Sequence, residues 1–186
     1  MFLKKISFFL VFALLYLSCK QAPERQVSNE MIQLVQSLKT DNAKQAFLDD
    51  ILNSIMNDRK MKIAEDVMLK NDELRLDKIE AYLKTYEYPS KDKYGIKAAR
   101  APIMTLHYSK NLDAKFNNFE AVYKGFYKGH FSPEDFAYFI GHLHKDAKGE
   151  WYSFDGPYTS KEEIEANIKS LGLQDEVDEI IKGIKK

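Results

Sequence analysis

The chain has 186 residues, of which 45% are hydrophobic and 30% are charged. It is therefore long enough for one domain with its own core, and its composition excludes a largely disordered chain. Lys plus Arg and Asp plus Glu both number 28, and this zero net charge argues against a nucleic-acid-binding protein, which needs a basic excess on one face.

The N-terminus has the order of a secretory signal peptide. Lys4 and Lys5 precede an apolar run over residues 6–17, which is too short to cross a hydrocarbon core of about 30 Å. The run ends at Ser18-Cys19, and Cys19 is the only cysteine in the chain. Disulfides and cysteine metal sites are therefore not expected in the rest of the chain.

The stretch "LYLSC" before residue 20 resembles the lipobox of bacterial lipoproteins. The resemblance implies a signal peptide over residues 1–18, acylation of Cys19 by fatty acids such as palmitate, and a membrane partner held through that lipid. Lys20 in the second mature position, instead of Asp, implies an outer-membrane lipoprotein on the periplasmic or the surface face. A transmembrane anchor and a signal peptide cut elsewhere are the alternatives.

Residues 19–27 are polar and predict a tether, and residues 28–186 predict one helical domain. Apolar residues recur there at the spacing of amphipathic helices, with charges on the opposite face. The first four stripes contain Met31 to Leu38, Phe47 to Met56, Ile63 to Met68 and Leu76 to Tyr86, and either two helices or one continuous helix through Asn71-Asp72 would carry the last two.

Pro89 ends the fourth stripe, and Gly95 provides a permissive backbone after it. Pro102 lies in the next apolar segment and predicts either a kinked helix or one that begins again at Ala101. A further helix carries Phe116 to Phe126, "SPED" at residues 132–135 starts another, and Ser160 with Glu163 forms a capping box. Residues 149–158 predict one short extended or loop segment, so the fold class is an all-α, compact multi-helix bundle.

The sequence "FIGHLHKD" places His142 and His144 two residues apart on the predicted helix. They would point about 200° apart and could not share a metal ion. His142 and Asp146, four residues apart, face each other and could form a ligand or acid–base pair, although two surface positions are the expected case. His144 is expected to be partly buried and hydrogen-bonded, with Trp151, Tyr152 and Phe154 covering the core.

His107 is the stronger candidate for a functional histidine, because it follows a segment of small residues where helices can approach closely. A histidine at the edge of the core with one satisfied ring nitrogen is the competing interpretation. The chain contains no recognised hydrolase, zinc-protease, phosphate-loop or dinucleotide-binding motif. The sequence therefore predicts no metal site and no cofactor.

Residues from about 74 to 154 resemble an uncharacterised bacterial family of helical proteins. Its pattern is H-G-W-P, then a small-residue helix ending in Q-H, then D-R, then Y-G-T-Q. The corresponding elements of this chain are Tyr86 to Pro89, Gly95 to His107, Gly141-His142, and "GEWYSF" at 149–154. Leu106 replaces the glutamine and Gly141-His142 replaces the Asp-Arg pair. The resemblance implies a helical fold. If the polar residues of that pattern form a site in the family, this chain keeps only His107 and Tyr88 of it.

Two hypotheses follow for the function. The first is a lipid-anchored envelope module that binds an envelope protein or a small ligand without catalysis, with Tyr88, His107, Tyr108 and Trp151 as binding residues. Tyr82, Tyr86 and Tyr94 could join that surface or pack the helices. The second is a hydrolase-like or metal-assisted enzyme centred on His107, with His142 and Asp146 beside it.

Overall fold

The computed structural model describes residues 26–152 and 160–185, and these residues form nine α-helices and no β-strand. The prediction of an all-α fold is confirmed. The helices, in chain order, are α1 Asn29–Gln36, α2 Asp41–Met61, α3 Glu65–Thr85, α4 Lys91–Tyr108, α5 Leu112–Asn117, α6 Phe119–Tyr127, α7 Pro133–Lys148, α8 Lys161–Ser170 and α9 Gln174–Ile184.

Short polar side chains fix the start of several helices. The hydroxyls of Ser28, Thr40, Ser132 and Ser160 each accept a hydrogen bond from a backbone N–H in the first turn. Such caps satisfy donors that have no partner within the helix. The predicted starts at Ser132 and Ser160 are therefore confirmed, as is the single helix through Asn71-Asp72.

The first core cluster lies between α1, α2, α3 and α4. Helix α2 runs alongside α4 in the same direction, since Tyr94 donates a hydrogen bond to Asp41 and the Arg59 guanidinium lies over the Tyr108 ring. Small residues on α4 allow close approach, and the buried members of the cluster include Leu48, Ile51, Ile55, Ile79, Tyr82, Tyr94, Ala98 and Ala101. Tyr82 and Tyr94 therefore pack the core and are not surface residues.

The second core cluster joins α4 to α5–α9 and is rich in aromatic rings. The Phe126 and Phe136 rings stack with their centroids 4.2 Å apart, and Phe119, Phe136 and Phe139 are fully buried. Helix α4 supplies Ile103 and Leu106 to this cluster, so opposite faces of α4 are buried in different cores.

The interruption in α4 lies at Gly95 and not near Pro102. Gly95 has φ of 80° and ψ of 160°, a left-handed region that favours glycine. The helix then continues through Pro102, so a restart at Ala101 is not found. Pro102 has no N–H to donate to the carbonyl of Ala98, and this loosened turn lies beside the hydroxyl of Tyr88.

Tyr88 is a partly buried link between α4 and α6. Its hydroxyl donates to the Ala99 carbonyl at 2.9 Å, and its ring contacts Phe131 and His130. Burial raises the pKa of this hydroxyl well above its usual value, so it stays a donor. A Cβ on Gly125 would lie 2.7 Å from the ring, so only glycine leaves room for Tyr88 there.

Some predicted segments fall outside the described residues. The signal peptide, Cys19 and most of the predicted tether lie in residues 1–25, and Phe154 and most of the predicted extended segment lie in 153–159. Val27, assigned to the tether from sequence, is 7% exposed and belongs to the first core cluster.

Among the helices of the described residues, none has the length and apolar character needed to cross a membrane.

Gly125→Ala tests the fit between Tyr88 and α6. The added methyl would clash with a ring that is held on several sides, so we expect a loss of about 1–3 kcal/mol in the free energy of unfolding. Gly183→Ala is the matched control, because a Cβ there meets nothing within 4 Å and alanine favours the helix by roughly 1 kcal/mol. Denaturant unfolding measures both, and an unchanged midpoint for Gly125→Ala would contradict this packing.

Candidate functional site

His107 and His142 lie in direct contact between the C-terminal end of α4 and the middle of α7. Their ring centroids are 4.1 Å apart with an interplanar angle of 64°. The Tyr108 ring meets the His107 ring at 4.6 Å, and the Tyr138 ring meets it at 6.2 Å. Both histidines are partly buried, so the prediction that His142 is an ordinary surface residue is wrong.

A buried ion pair lies beside the two imidazoles. The Lys115 ammonium contacts the Asp146 carboxylate at 2.6 Å, and it also approaches the His107 carbonyl oxygen at 3.4 Å. The Lys115 side chain is 1% exposed, whereas that of Asp146 is 24% exposed. Asp146 is exposed, as the sequence predicted, and its carboxylate pairs with Lys115.

Trp151 covers the outer side of His142. The two ring centroids are 4.8 Å apart with the rings nearly perpendicular, and the Lys145 ammonium lies 4.5 Å from the indole centroid. Trp151 is only partly buried and is not among the residues packed on the second core cluster, whereas Tyr152 is. Tyr152 therefore covers the core, and Trp151 instead shields the histidine pair.

The surroundings favour neutral imidazoles. Burial lowers the pKa of His107 to about 3, with smaller contributions from His142 and Lys115, while the Tyr138 backbone opposes the shift. Burial and Lys115 also lower the pKa of His142, and Asp146 opposes that shift. Both rings are neutral at pH 7 and can accept a proton or a hydrogen bond.

This arrangement differs from an assembled catalytic triad. The Nδ1 atom of His107 is buried without a hydrogen-bond partner among the described residues, so no acidic side chain orients its ring. The two rings also touch each other, which leaves no room for a shared ligand between them.

His144 lies on the other side of α7. It is 7% exposed, its Nδ1 atom is 2.9 Å from the Glu150 carbonyl oxygen, and its ring packs on Tyr152. The predicted separation of His142 and His144 on one helix is confirmed. Within residues 26–152 and 160–185, no three His, Cys, Asp or Glu side chains are grouped so that they could hold a metal ion.

A separate groove lies on another part of the surface. It has a volume of about 1250 Å³ and runs between the C-terminal end of α3 with its following loop, the α5–α6 junction, and α9. Its walls include Tyr86, Tyr88 and His130, but not His107, His142 or Trp151. Of the predicted binding residues, Tyr88 therefore lies at the groove, whereas His107, Tyr108 and Trp151 lie together elsewhere.

Carboxylates outnumber ammonium groups along the groove. Its lining holds five glutamates and three lysines, namely Glu80, Glu87, Glu120, Glu176, Glu179, Lys84, Lys124 and Lys128. Burial raises the pKa of Glu176, and the nearby Glu120 raises it further. Burial is the main cause, so the charged form of Glu176 is less favoured than that of a fully exposed glutamate.

Sequence analysis missed Lys115 and most of the groove. Lys115 occupies a position in the apolar stripe of Leu112, Phe116 and Phe119, and a lysine at such a position is a usable signal of a buried charge. The groove residues come from helices far apart in the chain, and no local pattern joins them.

Comparisons of the chain with models of known families, with curated proteins and with solved structures gave no match. The resemblance drawn from the sequence motifs therefore stays a prediction.

The low pKa of His107 predicts a specific pH dependence of stability. The unfolded histidine titrates near 6.5 and the folded one near 3, so its contribution is fully present above pH 6.5 and is lost as the pH falls toward 3. The free energy of unfolding should fall by up to about 1.4 kcal/mol per pH unit in that window because of this one group.

We expect His107→Leu to have a flatter profile of unfolding free energy between pH 6.5 and 4. Urea unfolding of both proteins at several pH values measures the difference, in which the titration of all other groups largely cancels. Parallel profiles for the two proteins would show that His107 has an ordinary pKa in the folded state.

The ion pair predicts an asymmetric response to mutation. Asp146→Ala leaves a fully buried ammonium without its partner and should cost about 3 kcal/mol. Lys115→Met keeps the packing and leaves a carboxylate that can reach water, so it should cost less than about 1 kcal/mol. Denaturant midpoints compare the two variants, and equal costs would contradict the buried position of Lys115.

Proposed function

We propose that the protein is a membrane-tethered envelope module that binds its ligand in the groove between α3, the α5–α6 junction and α9, without catalysis. The observation that carries this proposal is the groove itself. Its volume of about 1250 Å³ exceeds that of a typical small-molecule site, so it suits an extended ligand such as a polypeptide or glycan segment.

The lining of the groove supports a ligand with positive charge or many hydrogen-bond donors. Glu176 and Glu120 provide carboxylates, while Asn117 provides an amide. Tyr86 and His130 add rings that can pack against the apolar faces of a ligand while remaining partly exposed to solvent. A cationic group beside Glu176 would favour the charged form of this carboxyl, whose pKa is raised by burial and by Glu120.

Blocking the groove tests this proposal. Gly183 lies in its wall and is exposed, and a Cβ there meets nothing within 4 Å, so Gly183→Trp should fill the groove without disturbing the core. Ala166→Trp on the exposed face of α8 is the matched control. The chain over residues 20–186 contains every described helix and is suitable as bait.

We expect a component of an envelope extract to be captured by wild type and by Ala166→Trp, and to be lost from Gly183→Trp. High salt should weaken the capture, because opposite charges in water are screened. Equal capture by all three proteins would show that the ligand binds outside the groove.

The tether is proposed to be a lipid on Cys19. Residues 20–186 contain no cysteine, so Cys19→Ala should abolish labelling by a radioactive fatty acid. The variant should also either leave the membrane or keep its signal peptide uncleaved. Mass spectrometry of the N-terminus and membrane fractionation measure both effects. Normal cleavage with unchanged membrane retention would contradict this anchor.

The contact between His107 and His142 favours an enzyme as the second candidate function. Two neutral imidazoles beside Asp146 could serve as a proton acceptor for hydrolysis. Activity toward chromogenic esters and phosphate esters that disappears in both His107→Leu and His142→Gln would support it. Activity retained in both variants would exclude the histidine pair as its source.

A further inference from the structure

The end of the α2–α3 hairpin stands apart from both cores. We call residues 60–71, which lie between Arg59 and Asp72 at the turn of the hairpin, the hairpin tip. Of the described residues from 56 to 75, none belongs to either core cluster or packs on one as a partly buried hydrophobic residue. This part of α2 and α3 is therefore not held by apolar packing.

The hairpin is closed by polar contacts. Arg59 donates to Asp72 at 2.6 Å, Arg75 contacts Asp72 at 2.8 Å, and Arg75 also pairs with Asp58. Beyond Asp72, α3 extends seven more residues to Glu65, which is about 10 Å of helix. The hairpin tip thus projects by roughly two helical turns past these ion pairs.

Large apolar side chains concentrate on this projection. Met61 is 74% exposed, Val67 is 47% exposed and Leu69 is 37% exposed. These are three of the nine large hydrophobic side chains that are exposed among the described residues, and a fourth, Met56, precedes the ion pairs on α2. Single exposed apolar residues are ordinary, but such a concentration on a projecting turn indicates a surface that is covered by a partner.

Lysines flank these apolar residues. Lys60, Lys62 and Lys70 are exposed, and they outnumber the exposed acidic residues Glu65 and Asp66. Lysine side chains can lay their methylene groups along an apolar surface while the ammonium reaches lipid headgroups. Apolar side chains at a turn with lysines around them suit the interface of a phospholipid bilayer.

We propose that the hairpin tip inserts into the headgroup region of a phospholipid bilayer and so orients the protein on the membrane. The position of the N-terminus agrees with this. Helix α1 packs along α3, and the Tyr86 hydroxyl donates to carbonyls of Val35 and Leu38, so the C-terminal end of α1 lies at the C-terminal end of α3. The chain before α1 therefore lies toward the tip end of α3.

The reach of the tether adds to this argument, and only this step rests on the proposed lipid on Cys19. From Cys19 to Gln26 the chain spans up to about 25 Å, enough for the lipid and the hairpin tip to meet one bilayer. The groove residues Lys84 to Ser90 follow the opposite end of α3, so the groove would face away from the membrane.

The test uses residues 20–186 without lipid, so that it does not depend on acylation. Flotation with vesicles of phosphatidylethanolamine and phosphatidylglycerol, at millimolar lipid, should bring part of the wild-type protein to the vesicle fraction. Met61→Asp combined with Val67→Asp should lower the partition coefficient by about tenfold or more, because two apolar contacts are replaced by charges.

The matched control is Ile96→Asp combined with Tyr127→Asp, which removes two other exposed apolar side chains and adds the same charge. It should bind vesicles like wild type, and circular dichroism checks that both variants are folded. In a second measurement, Met61→Cys labelled with an environment-sensitive dye should shift to shorter emission wavelength with vesicles, whereas labelled Ile96→Cys should not.

Three results would overturn the proposal. The first is that wild type does not bind vesicles and labelled Met61→Cys shows no dye shift, and the second is that both double variants lose binding equally. The third is a concentration-dependent dimer that disappears only in the Met61 and Val67 variant. The last result would assign the hairpin tip to a second copy of the chain. Acyl labelling of Cys19 is read separately, so failure of the anchor and failure of the hairpin tip are distinguishable.

Discussion

The burial of α4 on two opposite faces is the constraint on which the rest of the structure depends. One face packs through Ala98 and Ala101 against α2, and the other packs through Ile103 and Leu106 against α7 and its neighbours. A helix that is enclosed in this way cannot shift without disturbing both cores, because protein interiors are close-packed. Tyr88 adds a fixed hydrogen bond to its middle, and Gly125 allows that ring to fit.

This enclosed helix also places the histidine contact. The C-terminal end of α4 carries His107 and Tyr108, and the core contacts of α7 bring His142 against them. Lys115 and Asp146 hold α5 to α7 at the same point. The geometry of this cluster is thus a consequence of the packing of α4, α5 and α7, and it would be the same whether the histidines act chemically or only fill space.

Polar groups are used differently at the two ends of the molecule. At the α2–α3 hairpin, paired charges around Arg75 replace apolar packing, and the ends of both helices extend into solvent. At the opposite end of α3, the groove collects five glutamates, of which Glu176 has a pKa raised by burial and by Glu120. Buried ion pairs contribute little net stability but tolerate few alternative arrangements, so they fix register while leaving nearby surfaces available for partners.

The sequence by itself determined most of the helices and several of their ends, although the single helix predicted over Phe116 to Phe126 is divided at Asn118 into α5 and α6. Apolar periodicity and the caps at Ser132 and Ser160 depend on residues within a few positions of one another, and both appear in the structure. The opposed directions of His142 and His144 followed from helix geometry alone. The break near Gly95 was harder, because Pro102 is the stronger local signal and the structure places the interruption at the glycine instead.

Only the tertiary structure decided which side chains meet. That His107 touches His142, that Asp146 pairs with Lys115, and that Trp151 covers a histidine while Tyr152 covers the core all depend on how α4, α5 and α7 pack. The groove is likewise built from helices distant in the chain. Local sequence encodes the torsions and the apolar face of each helix, but the angle and register between helices come from the summed packing of many side chains, which no single segment contains.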